Sequence, residues 1–156
     1  MTQVSRRQWV LGGVIGVALV VAVLLWPADD SVRLDDIRSG GGVVYLEDEQ
    51  VFLVADGEDV LALSAESPGR GTRLLYCASS RTFRGPHGEA FDSSGAYFAG
   101  PAPRDMDRYA VEVDDGAVEV DLSDKTVAPG RSRRADAEIT GELCRWKESE
   151  PGFASV

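Results

Sequence analysis

"FRGPHGEAFDSSGAYFAGPAPRDMDRYAVEVDDGAVEVDL", residues 83–122, is the stretch that decides the fold. Its second half has a period of two. Ala110, Val111 and Val113, then Val118, Val120 and Leu122, alternate with acidic residues around Asp115-Gly116. That dipeptide tolerates the positive φ of a tight hairpin turn. Ser94-Gly95 marks another turn, between "EAFD" and "AYFA". His87, the chain's single histidine, lies among Gly85, Pro86 and Gly88, which are turn-forming residues. The same punctuation runs upstream. "VVYLEDEQVFLVAD" (43–56) is two β-rich runs around a polar turn at 47–50, and Asp56-Gly57 opens a further hairpin. "TRLLYC" and "RTFR" flank Ser79-Ser80. About nine short strands over roughly 80 residues, with little helical periodicity, predict a mostly β domain. Its expected form is a small antiparallel barrel or sandwich.

The charge balance narrows function. The chain has 26 Asp+Glu against 16 Lys+Arg. Setting aside Arg6 and Arg7, which precede an apolar segment, leaves 14 basic side chains and a net charge of −12. Such a surface repels nucleic acid, so no nucleic-acid partner is expected. The basic residues are nearly all arginine; Lys125 and Lys147 are the lysines. An acidic, lysine-poor chain suits a halophilic setting, and a GC-rich genome would also favour arginine.

At the amino terminus, residues 9–26 read "WVLGGVIGVALVVAVLLW", 18 residues without a charge. As a helix they would be about 27 Å long, near the thickness of a bilayer's hydrocarbon core. Trp9 and Trp26 suit its two interfaces, and Pro27 ends it. Arg6 and Arg7 before the span keep the first residues cytoplasmic. "SRRQWVL" also resembles a twin-arginine export signal. "VLLWPADD" is a poor cleavage site, so the span is expected to remain as an anchor. The expected organisation is therefore 1–8 cytoplasmic n-region, 9–26 transmembrane anchor, 27–41 flexible tether, 42–122 β domain and 123–156 a C-terminal extension packing on it. The protein is expected in the cell membrane, single-pass, with its C-terminal domain extracytoplasmic. Within the tether, one helical turn carrying Leu34 and Ile37 is allowed for. In the extension, Ile139, Leu143 and Trp146 are expected to pack on the domain. The basic cluster Arg131, Arg133 and Arg134 either touches lipid phosphates or an acidic partner, or is a solvated loop.

Several features of residues 83–122 come together here: His87-Gly88, Phe91-Asp92, Gly95, "GPAPR" at 100–104 and the final hairpin. Their order and spacing resemble the second half of a Rieske iron–sulfur domain, and the anchor and twin arginines resemble membrane-anchored Rieske subunits of respiratory cytochrome bc complexes. More weakly, the resemblance extends upstream to about Gly42. It implies a Rieske-like β-barrel or sandwich behind one N-terminal transmembrane helix, and a cytochrome b-like partner in an electron-transfer complex. It also implies a [2Fe–2S] cofactor, whose irons are held by two Cys thiolates and two His nitrogens from two loops. The ligands are missing. Where the first loop of the family reads Cys-Pro-His-x-Gly-Cys, this chain reads "SPGRGT", with Ser67, Gly69 and Thr72 at the ligand positions. The second loop has shortened to Gly85-Pro86-His87, and His87 alone survives there. One His and two Cys in the chain fall short of four ligands. No resident cluster and no metal site are therefore expected. The family disulfide between the loops is lost too. His87 is expected to hydrogen-bond to its own loop's backbone, and the proline-stiffened 100–104 loop to cover a pocket either empty or filled by side chains.

Cys77 and Cys144 are not at ligand positions. In an exported domain they either form a disulfide or stay as buried thiols. One histidine without a placed nucleophile makes no triad, and no phosphate-binding glycine loop is present, so no catalytic residue is assigned. Three functions remain open: a cluster-free accessory subunit of a respiratory complex, an electron-transfer subunit with a shared or unusual cluster, and an anchored extracytoplasmic binding module unrelated to redox.

Overall fold

The computed structural model describes residues 32–132, 141–147 and 152–154. The expected anchor, Arg6, Arg7, Arg133, Arg134 and Ile139 lie outside them. Among the described residues, no helix is long and apolar enough to cross a membrane.

The chain runs β1 (Val32–Arg33), α1 (Leu34–Ser39), β2 (Val43–Leu46), β3 (Val51–Asp56), β4 (Asp59–Ser64), β5 (Leu75–Cys77), β6 (Thr82–Arg84), β7 (Ala90–Phe91), β8 (Tyr97–Ala99), β9 (Arg108–Asp114), β10 (Ala117–Thr126) and β11 (Phe153–Ala154). Two sheets result. The larger has the order β1-β10-β9-β4-β3-β2, and the smaller β11-β5-β6-β7-β8. All pairs are antiparallel except β11 on β5. The mostly antiparallel β class and the nine strands expected between residues 42 and 122 are therefore present, as β2–β10.

β3 explains why the sheets stack as they do. Its run Val51-Phe52-Leu53-Val54 is buried on both faces. Successive side chains of a strand point to opposite sides. Phe52 and Val54 therefore join Leu63, Leu74, Tyr76, Phe83, Phe91 and Met106 between the sheets. Val51 and Leu53 join Leu34, Ile37, Val60, Ala62 and Val118 on the other side. A tilted Phe52–Phe83 contact at 4.8 Å joins the two sheets, and Tyr45–Phe52 at 4.9 Å and Tyr76–Phe83 at 5.2 Å extend the ring cluster within each sheet.

The turns follow the sequence signals. Gly57, Asp115 and Gly116 have φ of 68°, 45° and 78°, as two-residue hairpin loops require. Asp92 Oδ1 accepts from the Ser94 and Ala96 N–H groups at 2.8 and 3.0 Å, fixing the Ser94-Gly95 turn. In the β9–β10 hairpin, Glu112 faces Glu119 directly. Like charges so placed repel, and salt screens them.

Two boundaries differ from expectation. Residues 32–39 belong to the domain, not to a tether: β1 pairs with β10, and α1 buries Leu34 and Ile37 against β3. The outer face of β3 needs an apolar cover, and these two residues, one helical turn apart, supply it. The extension also enters the fold. β10 reaches Thr126, and β11 adds an edge strand to β5. Residues 141–147 form no helix or strand, and Leu143 stays about half exposed rather than packing.

Candidate functional site

The β4–β5 and β6–β7 connections hold the positions that the resemblance aligns with the two ligand loops. In the first, the Ser67 N–H donates to Thr72 O at 2.7 Å and the Gly71 N–H to Ser67 O at 2.9 Å, folding "SPGRGT" into a closed loop. In the second, the Gly85 N–H donates to Glu89 O at 3.0 Å across the His87 turn, and Gly88 has φ 88°.

The 100–104 loop lies on both. A Cβ added to Gly100 would sit 2.3 Å from the Gly88 carbonyl oxygen. A Cβ added to Gly69 would sit 2.9 Å from Pro103 Cγ. Only glycine permits either approach. Arg131 holds this loop from behind. Its Nε and Nη2 donate to Ala102 O at 2.9 and 2.6 Å, and its guanidinium lies 4.1 Å from the Tyr97 ring centre. The Tyr97 hydroxyl donates to Gly100 O at 2.7 Å. Arg131, though exposed, is thus tied to this loop and to the Tyr97 ring. The buried Asp107 accepts two bonds from Arg104, at 3.1 and 2.9 Å, which fixes the loop's far end.

Between the two loops stands Glu89, fully buried. Its Oε2 accepts from the His87 N–H at 2.9 Å, and its Oε1 from the Ser67 hydroxyl at 3.4 Å. The carboxyl packs on the Gly85 backbone: a Cβ on Gly85 would lie 2.5 Å from Oε2. The Glu89 carboxyl therefore takes the space beside Gly85, between the two loops. Glu89 was not among the sequence-derived candidates.

His87 projects its side chain to solvent, and its backbone rather than its ring is engaged. Beside the loops is a shallow cleft of about 500 Å³ lined by Thr72, Arg73, Pro86 and Trp146. The Trp146 Nε1–H donates to Arg73 O at 3.2 Å, so the tail touches the first loop there. Farther back, burial pushes the Tyr76 phenol above its ordinary range, and the nearby Arg81 partly offsets this.

Cys77 and Cys144 form a disulfide with an S–S distance of 2.08 Å. Cys77 ends β5, which leads away from the first loop, so the bridge pins the tail and does not join the two loops. With both thiols committed, Ser67, Gly69, Thr72, Gly85 and His87 offer one imidazole and no thiol. That set does not fit a centre built on two thiolates and two imidazoles.

No family model matches the chain. Over 90 residues it is 27% identical to the cytochrome b6-f complex iron-sulfur subunit of Chlorobaculum tepidum. The match takes in 56% of this chain and 50% of that protein, so the chain spans about half the length of this relative. Among solved structures it is similar to the plasma membrane Rieske protein PetC3 of Synechocystis PCC 6803, with TM-score 0.49 and 22% identity, over 57% of this chain and 94% of that one.

Proposed function

We propose that this chain, a member of the Rieske-domain family, works without a [2Fe–2S] cluster of its own. In this reading it is a membrane-anchored accessory subunit of a respiratory electron-transfer complex. Its extracytoplasmic domain rests on a cytochrome b-like partner. It contributes binding surface and assembly, not electron transfer, and has no catalytic activity by itself. The observation that carries this reading is the state of the cysteines. A Rieske centre needs two thiolates, and the chain's two sulfurs are joined to each other as Cys77–Cys144. The kept frame of His87-Gly88, Phe91-Asp92, Gly95 and 100–104, together with the relative named as a cytochrome b6-f subunit, supports the partner class. Fold alone does not assign it.

Gentle detergent extraction of the tagged full chain from its native membrane tests the partner. The expected outcome is co-purification with a b-type cytochrome, read by its reduced-minus-oxidised haem spectrum. A chain that leaves the membrane alone, or with proteins lacking haem b, would favour an extracytoplasmic binding module instead.

A further inference from the structure

Removing a cluster from between two loops leaves two problems. The loops lose their cross-link, and the space between them needs filling. Burying a polar group to do this is costly unless its hydrogen bonds are made. Glu89 spans this gap: its Oε2 accepts the His87 N–H at 2.9 Å and its Oε1 the Ser67 hydroxyl at 3.4 Å. Its carboxyl is fully buried, and its two oxygens reach different loops, 22 residues apart in sequence at Ser67 and Glu89. The shape of the site is matched to it. Gly85, at a family ligand position, leaves room that a Cβ would take from Oε2. Gly69, at another, leaves room that the Pro103 ring occupies. The nearby disulfide lies at the other end of β5 and does not duplicate the link.

We propose that Glu89 is a carboxyl strut that replaces the cluster, cross-linking the Ser67 loop to the His87 loop and holding this end of the domain closed without metal. The proposal rests on the cluster-free reading and adds the group that makes it structurally workable. Glu89 acts here as a positioning residue. It touches no substrate, and its effect is on the order of the two loops.

Hydrogen–deuterium exchange on the full chain tests it, using wild type with and without a strong iron chelator, Glu89→Gln, Glu89→Ala and Ser67→Ala. In Glu89→Ala, amides of both loops, including Ser67, Gly71, Gly85 and His87, are expected to exchange at least about tenfold faster, while β3 and β4 keep their protection. Glu89→Gln keeps the volume and should show a smaller rise. Ser67→Ala leaves the second loop's bond to Glu89 intact and should loosen the first loop alone, which keeps the proposal testable if Glu89→Ala fails to fold. Unchanged exchange in Glu89→Ala, or opening of the second loop alone in it, would overturn the strut. The chelator separates the two readings. Wild-type loops that open on chelation would end the cluster-free reading, whereas wild-type loops that ignore the chelator while the Glu89 variants stay closed would end the strut alone.

Discussion

Cys77→Ala with Cys144→Ala should lower the domain's stability by roughly 4 kcal/mol, the largest single loss expected in this chain. The bridge closes a sequence separation of 67 residues. On the chain-entropy view, a loop of that size stabilises the folded state by about 4 kcal/mol, chiefly by restricting the unfolded chain. For a domain of this size that corresponds to a melting-temperature fall on the order of 15 °C. Thermal melts of wild type with and without reductant, beside the double variant, check it. Reduced wild type and the double variant should melt close together, and both well below the oxidised protein. Because Trp146 lies two residues beyond Cys144 and donates to Arg73 O, losing the bridge should also free the indole from the first loop. A double variant as stable as the oxidised protein would show that the bridge contributes nothing to stability.

Gly100→Ala should cost about 3 kcal/mol, through a cause that sits at the site itself. The added methyl would meet the Gly88 carbonyl oxygen at 2.3 Å and Glu89 Cα at 2.8 Å, both backbone atoms that cannot rotate aside. It would also hold a residue with a Cβ at φ +92°. Gly57→Ala is the control. Gly57 has φ +68° in the β3–β4 turn and nothing within 4 Å of an added Cβ, so it carries only the conformational penalty of about 1 kcal/mol. Denaturant unfolding of the two variants separates the effects. A Gly100→Ala loss well above that of Gly57→Ala places the 100–104 loop against the His87 loop. Equal losses would remove that contact.

The parts of the fold that depend on local chemistry were readable from the sequence. Asp115-Gly116, between alternating apolar residues, and Asp56-Gly57, between two apolar runs, both form hairpin turns. The continuous run Val51–Val54 reads as a strand, though its burial on both faces becomes clear only once α1 is in place. That helix is short, and its docking depends on a partner face supplied by β3. Leu34 and Ile37 alone therefore did not distinguish it from a turn in a tether. β11 is two residues long and pairs with a strand more than 70 positions earlier, which no local pattern announces.

The site divides in the same way. The shortfall of His and Cys was legible, because counting one His and two Cys needs no geometry. Glu89 was not. In "HGEAF" it reads as an ordinary charged turn residue, and it is buried because Ser67, from another loop, closes over it. The available signal was indirect: Gly69 and Gly85, which the resemblance aligns with ligand positions, leave space that a neighbouring side chain takes. The tie made by Arg131 was not legible for the same reason: its anchor points, Ala102 O and the Tyr97 ring, lie about thirty residues away in sequence.

The most direct test of a Rieske-like domain that stays closed without iron is a metal count on folded protein. Iron and acid-labile sulfide per chain should be measured on material purified from its native membrane, with the reduced electron paramagnetic resonance spectrum recorded on the same sample. The expected result is a folded, disulfide-bonded chain with far less than one iron per chain and no Rieske-type signal. Two irons and two sulfides per chain with a Rieske-type spectrum would contradict it.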